Sequence, residues 1–216
     1  SDKQLLHHMN FENPEPLSFV TPKGEFRYSW LVEPDTKFEK CEYKVEVLVP
    51  AEQGMDLVEK LEAHLEEWKK ACKAQDPKKA WKLVDPQPWT ATSDDAGNPV
   101  IKFKCKRKAK GIRKDGTPWE VQLPIFDGKG CMVSNRAPLQ KLGAGTLGRV
   151  KVQARPYSAP IGVGITLSIQ EVQVIKPVEY TQGGSGFDAV EGGWEDKAEE
   201  TTSQAPAVAT QQVGDF

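Results

Sequence analysis

The sequence predicts an all-β protein, built as a small closed barrel with one helix and a disordered acidic C-terminal tail. Five or six segments alternate apolar and polar residues with the two-residue period of β-strands. One segment, residues 54–74, instead repeats its apolar residues at three and four positions, as amphipathic helices do. Glycines mark the corners between strands. Together these observations favour an OB-fold-like Greek-key barrel capped by one helix.

The predicted strands are separated by turns that contain proline and glycine. They span residues 26–32, 42–49, 100–108, 119–126, 149–154 and 161–175. Asp115-Gly116 predicts a hairpin between the third and fourth strands. In the last strand the apolar phase shifts at Gln170-Glu171, which predicts a β-bulge. Residues 75–99 contain several prolines and are predicted to form a loop.

Apolar stripes identify the expected core. One face of the second strand consists of Tyr43, Val45, Val47 and Val49. The last strand contributes Ile161, Val163, Ile165, Leu167, Ile169, Val172 and Val174. The stripe of the helix consists of Val58, Leu61, Leu65, Trp68 and Cys72. Because that stripe lasts only about two heptads, we expect a helix that lies on the barrel and not a coiled coil.

The composition is that of a soluble globular protein, with 38% hydrophobic and 28% charged residues. No apolar run is long enough to cross a membrane, and no signal peptide is evident. The four cysteines are scattered, which fits a reducing compartment better than a disulfide framework. His7 and His8 precede Met9, a pattern typical of an expression tag, so residues 1–10 are left out of the predicted domain.

Motifs for catalysis or cofactor binding are missing from the sequence. His64 is the one histidine beyond the suspected tag, which argues against an imidazole metal or catalytic site. Residues 143–148 spell G-x-G-x-x-G, but they precede a predicted strand, whereas the dinucleotide fingerprint follows one and opens a helix. We interpret these glycines as a barrel corner. We therefore expect no enzymatic activity, no cofactor and no metal.

The charge is divided unevenly between two parts of the chain. From residue 182 onward there are seven acidic residues and one lysine, whereas residues 1–181 carry 28 basic and 24 acidic residues. Gly183-Gly184-Ser185-Gly186 is typical of a flexible hinge, and the residues after it are too polar to bury a core. The sequence therefore predicts a basic domain at 11–181 and a disordered acidic tail at 182–216 that attract each other.

A row of lysines is the most informative functional signal. Lys102, Lys104, Lys106 and Lys108 share one face of a predicted strand. A second basic face is formed by Arg149, Lys151 and Arg155. Aromatic residues in or beside these strands are Tyr28, Trp30, Trp119 and Tyr157. Lysines that bind phosphates and rings that stack on bases are typical of single-strand binding grooves, although a solvated strand face and rings within the core explain the same residues.

Short motifs in a particular order carry a resemblance to a known family. They are Tyr28-Ser29-Trp30 with Pro34-Asp35, Tyr43-Lys44-Val45-Glu46 ending at Pro50, Phe103-Lys104-Cys105, Pro156-Tyr157, Val163-Gly164 and Gly214-Asp215-Phe216. From about residue 28 to the C-terminus, the sequence resembles the small single-stranded DNA-binding proteins of lytic, podovirus-like bacteriophages. The resemblance implies sequence-independent binding of single-stranded DNA in support of phage replication, recombination and annealing, in the cytoplasm of the infected bacterial host.

The same resemblance implies roles for individual residues. Tyr157 matches a tyrosine that stacks on bases, Lys102 and Lys104 match basic strand positions, and Tyr28 and Trp30 match an aromatic pair in which Trp30 replaces a tyrosine. The tail is implied to compete with DNA, to contact the replication polymerase and primase-helicase, and to help form a homodimer. The tail residues concerned are Asp188, Glu191, Trp194, Glu195, Asp196, Asp215 and Phe216. The neutral stretch 201–213 makes this tail less acidic than is usual in the family.

Two other functions fit the same residues. An RNA-binding OB domain would carry similar basic strands and aromatic residues, and only dependence on the 2′-hydroxyl distinguishes it. A protein-interaction adaptor, whose barrel binds an acidic peptide, predicts little change in tryptophan fluorescence when oligonucleotides are added.

Overall fold

The structure is a computed structural model that describes residues 15–180 and 190–194. The chain divides into two units, residues 1–181 and residues 182–216. In the first unit, ten strands and one long helix are present among the described residues. No helix of the described ranges is long and apolar enough to cross a membrane.

The strands and the helix follow one another with short connections at most corners. They are β1 (Leu17–Val20), β2 (Gly24–Asp35), β3 (Glu42–Pro50), α1 (Ala51–Gln75), β4 (Trp89–Ser93), β5 (Pro99–Lys108), β6 (Lys110–Ile112), β7 (Pro118–Glu120), β8 (Ile125–Phe126), β9 (Leu147–Ala159) and β10 (Gly162–Lys176). Short 3-10 turns lie at Lys37–Glu39 and Ala137–Leu139.

Five strands close into a barrel in the order β2-β3-β5-β10-β9, with β9 pairing again with β2. All neighbours in this ring are antiparallel except β5 and β10, which are parallel. The strands β1, β4 and β8 extend the sheet beside β9, β5 and β10. The strands β6 and β7 form a separate two-stranded hairpin. The predicted OB-fold-like barrel with one helix is confirmed.

The interior of the barrel consists of the inward faces of alternating strands. The apolar face of β3 and Ile101, Phe103 and Cys105 of β5 are buried as predicted. In β10 the pairing with β9 shifts between Ile169 and Glu171, which confirms the bulge. Gly148 leaves space for the ring of Phe26, because a Cβ at this position would overlap that ring and the backbone of Gln173. This close approach explains the last glycine of the G-x-G-x-x-G segment.

The helix α1 covers one part of the barrel and contacts β3, β5, β9 and β10. All five residues of its predicted apolar stripe are buried. At Gly54 the helix lies so close to β5 that a Cβ would be 2.9 Å from the side chain of Ile101. Nearer its C-terminal end, the indole N–H of Trp68 donates a hydrogen bond of 3.0 Å to the carbonyl of Tyr157. The helix therefore fixes the backbone at one end of β9.

Three predictions from the sequence differ from the structure. Residues 75–99, predicted to be a loop, contain β4, whose side chains are mostly exposed and therefore show no apolar alternation. The predicted strand 119–126 is interrupted between β7 and β8, because Pro124 has no N–H for a ladder. The sequence predicts that Ile161 belongs to the core, but it is exposed in the tight turn between β9 and β10.

Candidate nucleic-acid interface

A groove of about 690 Å³ lies where β2, β3, β5, β9 and β10 present side chains to one side of the barrel. We call it the barrel groove. Its aromatic residues are Tyr28, Trp30 and Tyr157, its lysines are Lys37, Lys40, Lys44, Lys104 and Lys106, and its carboxylates are Asp35, Glu42 and Glu46. The excess of lysines over carboxylates gives the groove a net positive charge. The segment Pro86–Pro88 forms part of its wall.

Tyr28 is held in an unusual backbone conformation. Its φ is +51°, a region that residues other than glycine rarely occupy. The pairing between β2 and β3 shifts at this point, between Arg27 and Trp30, so the strand is locally irregular. The side chain is 78% exposed and lines the groove, while Trp30 is 38% exposed. Irregularities of this kind re-aim side chains, and strained residues cluster at functional sites.

Tyr157 lies flat against a glycine of the neighbouring strand. It is the pairing partner of Gly164 in β10. A Cβ built on Gly164 would lie 2.6 Å from the Tyr157 hydroxyl and 2.7 Å from the ring carbon that carries it. The absence of a side chain at position 164 therefore allows the ring to lie against the sheet. One face of the ring packs on backbone, and the half-buried residue lines the barrel groove with the remainder of its surface.

The lysines of the groove are placed by the pairing of β3 with β5. Lys44 is opposite Lys106, and Glu46 is opposite Lys104. Two like charges directly opposite each other are unfavourable. The positive charge of Lys44 is compensated by Asp35, because Nζ of Lys44 lies 3.2 Å from a carboxylate oxygen of Asp35.

Asp35 is buried at the end of the groove and remains charged. The backbone N–H of Lys37 donates a hydrogen bond of 3.0 Å to its carboxylate, and the ammonium group of Lys44 contacts its other oxygen. These donors lower the pKa of Asp35 below its ordinary value. Asp35 thus orients Lys44 toward the groove.

Glu46 connects two lysines of β5. Its carboxylate lies 3.8 Å from Nζ of Lys102 and 3.8 Å from Nζ of Lys104. The Glu46 side chain is only 17% exposed, whereas that of Lys104 is 57% exposed. Lys102 shares the outer face of β5 but lies beyond the lining of the groove. The pair of lysines is therefore held in place by one carboxylate of the protein while retaining accessible ammonium groups.

A second groove, of about 670 Å³, lies beside the β6–β7 hairpin. We call it the hairpin groove. Its lining includes Trp119, three lysines and three carboxylates, namely Lys40, Lys108, Lys110, Glu39, Glu42 and Glu120. The turn that closes the hairpin has Gly116 at a φ of +86°, and the backbone N–H of Arg113 donates to the carbonyl of Thr117 at 2.8 Å. The predicted turn is thus present, but it joins β6 to β7 and not two strands of the barrel.

Arg149 and Lys151 lie in a third concavity, with Val20, Phe126 and Glu171. Arg149 is eight positions before Tyr157 on the same strand, which corresponds to roughly 26 Å of extended chain. This basic face is therefore distant from the barrel groove. Arg155 lies nearer to it, as the pairing partner of Thr166, and its guanidinium donates to Gln153 at 2.9 Å.

Only part of the predicted tail site can be placed. Glu191 and Trp194 belong to a short described turn in which the N–H of Gly193 donates to the carbonyl of Val190 at 3.0 Å. Trp194 is 88% exposed. The remaining predicted tail residues lie outside the described ranges: Asp188, Glu195, Asp196, Asp215 and Phe216.

Sequence reasoning did not include several residues that line the barrel groove. The sequence places Lys44 only on a polar strand face. Its pairing with Lys106, which sequence alone does not reveal, brings it next to the lysine row of β5. Lys37 begins a 3-10 turn and Lys40 follows it, and this turn has no sequence signature. Pro86–Pro88 reaches the groove because Gln87 accepts a hydrogen bond of 3.1 Å from the N–H of Ile165. A contact between residues so far apart in the chain produces no local pattern in the sequence.

The described residues offer no obvious site for a metal or dinucleotide. No group of three or more His, Cys, Asp or Glu side chains is clustered for a metal within these ranges. The G-x-G-x-x-G segment forms the corner before β9, with Gly145 at a φ of +88°. Thr146 closes this corner by donating a hydrogen bond of 2.9 Å to the carbonyl of Gly143.

Comparison with solved structures identifies the architecture. The chain matches gp2.5, a single-stranded DNA-binding protein encoded by bacteriophage T7, with a TM-score of 0.65 over 84% of this chain and 100% of that chain. The fold is that of bacteriophage single-stranded DNA-binding proteins. The sequence identity in this comparison is 20%.

A second phage protein with this fold is the single-stranded DNA-binding protein of bacteriophage Enc34. Its complex with single-stranded DNA matches with a TM-score of 0.54 and 13% identity, over 75% of this chain and 88% of that chain. A further structure of the same protein matches with a TM-score of 0.53 and 12% identity, over 78% of this chain and 86% of that chain. No protein-family model and no curated protein sequence matches the chain.

Proposed function

We propose that the protein binds single-stranded DNA without sequence preference, and that the barrel groove is the binding site. The observation that supports this most directly is the convergence of three aromatic side chains and five lysines in one groove. The groove lies on β3 and β5, the second and third strands of the barrel. In OB-folds this is the face that binds oligonucleotides.

Binding in this groove combines two kinds of contact. Tyr28, Trp30 and Tyr157 provide surfaces on which unpaired bases stack, and every base has such a face. Lys104 and Lys106 neutralise phosphates and release condensed counterions. Neither contact depends on the identity of the base, so the affinity is independent of sequence. Bases in a duplex are already stacked on each other, which makes the groove selective for single strands.

The carboxylates of the groove organise the free protein. Glu46 and Asp35 hold three lysines in position before DNA arrives. They also repel phosphates that approach too deeply, so the strand lies with its backbone along the exposed ammonium groups. The bases then turn inward toward the rings. The lysines and the rings are thus already positioned in the free protein, which reduces the entropic cost of DNA binding.

The wider role follows from the resemblance in the sequence. We propose that residues 11–181 form the DNA-binding domain and that residues 182–216 form a tail that competes with DNA. The tail carries seven acidic residues and one lysine, opposite in sign to the groove. We further propose that the protein supports phage DNA replication, recombination and annealing in the cytoplasm of the host. In this proposal the tail recruits the polymerase and primase-helicase and contributes to a homodimer.

Fluorescence titration tests the proposal. Trp30 lies in the barrel groove, so single-stranded DNA is expected to quench tryptophan emission, whereas duplex DNA of the same sequence is not. The Trp30→Phe variant should show a smaller change in emission and retain binding, as measured by fluorescence anisotropy of a labelled oligonucleotide. Equal responses to single strands and duplex would contradict the proposal.

The same titration distinguishes the two other functions. Tighter binding to an RNA oligomer than to DNA of the same sequence would favour an RNA-binding domain, because only the 2′-hydroxyl differs along the backbone. Binding of an acidic peptide without any response to nucleic acid would favour an adaptor. The affinity for single-stranded DNA is expected to fall by roughly 0.7 logarithmic units per phosphate contact for each tenfold rise in salt concentration.

A further inference from the structure

The hairpin groove repeats a feature of the barrel groove. Trp119 of β7 is the pairing partner of Gly111 of β6. A Cβ on Gly111 would lie 2.7–2.8 Å from three atoms of the Trp119 ring, so the indole lies across the glycine. Tyr157 lies across Gly164 in the same way. In both grooves an aromatic ring lies against the backbone of a cross-strand glycine, and lysines and carboxylates line the groove around it.

The two grooves adjoin each other. Lys40 and Glu42 line both of them. The lysine row of β5 passes from one to the other, because Lys104 and Lys106 line the barrel groove and Lys108 lines the hairpin groove. Alternate residues of a strand lie on one face, about 6.6 Å apart. This distance is close to the spacing of phosphates along an extended single strand.

The hairpin is fixed to the barrel by backbone hydrogen bonds. The N–H of Ala109 donates to the carbonyl of Cys41 at 2.9 Å, and the N–H of Val121 donates to the carbonyl of Ala109 at 2.9 Å. The hydroxyl of Tyr43, a core residue, donates to the carbonyl of Val121 at 2.7 Å. Trp119 therefore lies on a hairpin whose base is tied to the barrel by hydrogen bonds.

We propose that a single strand bound in the barrel groove continues along the lysine row into the hairpin groove, where a further base stacks on Trp119. Lys108 and Lys110 bind the phosphates of this segment. The proposal rests on the proposed function and specifies the path of the strand. It assigns the protein two successive stacking sites, one with Tyr157 and one with Trp119, joined by β5.

A continuous two-part site has a consequence for oligonucleotide length. A short oligomer, of about four nucleotides, fills the barrel groove alone, whereas one of about twelve nucleotides reaches both grooves. Both lengths lie within the range of site sizes known for OB-folds. Trp119→Ala is expected to weaken binding of the longer oligomer about fivefold or more and to leave binding of the short one within about twofold. Trp119→Phe, which retains a ring, should recover part of the loss.

Charge variants provide a matched comparison. Lys110→Gln is expected to reduce the salt dependence for the longer oligomer and not for the short one. Lys60→Gln, which removes one charge from the exposed face of α1, should change neither. Equal effects of Trp119→Ala on both lengths, or no effect on either, would show that the strand does not enter the hairpin groove.

Cysteine protection gives an independent readout in the unmodified full-length protein. Cys41 lines the hairpin groove, and Cys131 is exposed elsewhere. The longer oligomer is expected to slow alkylation of Cys41 by iodoacetamide, with Cys131 as the internal reference, when the two peptides are quantified by mass spectrometry. The short oligomer should protect neither. Unchanged alkylation of Cys41 under saturating long oligomer would overturn the inference.

These outcomes separate the inference from the proposed function. If Tyr157→Ala weakens binding of both oligomers while Trp119→Ala affects neither, the barrel groove is the binding site and the extension is wrong. If the wild-type protein binds neither oligomer, both proposals are wrong.

Discussion

The ring of Tyr157 lies across Gly164, the residue with which it pairs between β9 and β10. The glycine is buried, and the space above its Cα is filled by the phenol. The Trp68 indole fixes the Tyr157 backbone from the other side through the hydrogen bond to its carbonyl. The orientation of this ring therefore depends on two residues that need not touch DNA.

Gly164→Ala is expected to weaken binding of single-stranded DNA although Tyr157 remains present. The added methyl would lie within 3.0 Å of the Tyr157 hydroxyl oxygen and two ring carbons, well inside the usual separation of about 3.5–4.0 Å. The ring must therefore leave its position. Binding should weaken several-fold, and by less than in Tyr157→Ala, for which the loss of stacking is about 1–3 kcal/mol. Fluorescence anisotropy measures both affinities.

A double-mutant cycle tests whether Gly164 acts through Tyr157. In the Tyr157→Ala background, Gly164→Ala should cause no further loss of affinity, because the ring it displaces is gone. Gly128→Ala is the control, since its Cβ would have no neighbour nearer than 3.4 Å. Additive losses in the double variant would mean that Gly164 affects the barrel itself and not the ring.

Glu46→Gln is expected to tighten DNA binding at low salt, because the loss of repulsion between this carboxylate and the phosphates outweighs the lost positioning of Lys102 and Lys104. The substitution removes a carboxylate that lies 3.8 Å from both Lys102 and Lys104 and opposes the phosphates. Partly exposed ion pairs of this kind contribute roughly 0.2–1 kcal/mol, so a gain of a few-fold is expected. The gain should fade as salt screens the charges.

The control for Glu46→Gln is Glu62→Gln, which makes the same change of charge on an exposed position of α1. Its affinity should equal that of the wild type. Equal gains in both variants would assign the effect to net charge and not to the groove.

The sequence predicts the parts of the fold that have a strict period. The alternation of Tyr43, Val45, Val47 and Val49 identifies β3 because one face of this strand is buried and the other is not. The lysine row on β5 is visible for the same reason. The stripe on α1 is visible because the helix packs against the barrel along one side only.

The site could be predicted less fully, because its geometry depends on contacts between distant segments. The closeness of Tyr28 and Tyr157 depends on closure of the barrel and on the backbone irregularity at Tyr28. Trp119 was grouped with these rings, but its place in a separate hairpin follows from the hydrogen bonds to Ala109 and Tyr43. Arg149 belongs to another concavity because β9 is long enough to pass beyond the barrel groove.

Stability is expected to decrease as pH falls from about 7 to 5, in part because of His64. This residue is buried in α1, burial lowers its pKa below the ordinary 6.5, and among the described residues its Nε2 has no hydrogen-bond partner. Glu67 opposes the shift weakly. A group whose pKa is lower in the folded state binds more protons when unfolded, so acidification favours unfolding from about pH 6.5 downward.

Melting temperatures at several pH values measure this effect. In His64→Leu the decrease between pH 7 and pH 5 should be smaller than in the wild type, because no proton is taken up at this position on unfolding. The buried carboxylate of Asp35 has a lowered pKa and titrates below this range, so it does not obscure the result. Parallel pH profiles for the two proteins would contradict the assignment to His64.

Removal of residues 182–216 is expected to tighten binding of single-stranded DNA, most strongly at low salt. The tail carries a formal charge of −6, and its covalent attachment gives it an effective concentration on the order of millimolar near the groove. High salt screens the attraction between the tail and the lysines, so the two proteins should converge as salt rises.

A charge variant separates competition by the tail from any other effect of the deletion. Replacing Asp188, Glu191, Glu195 and Asp196 by their amides should reproduce most of the gain, because it removes charge and keeps the length. Phe216→Ala should leave DNA affinity unchanged, since the ring carries no charge. Identical affinities of the full-length and shortened proteins at all salt concentrations would show that the tail does not compete with DNA.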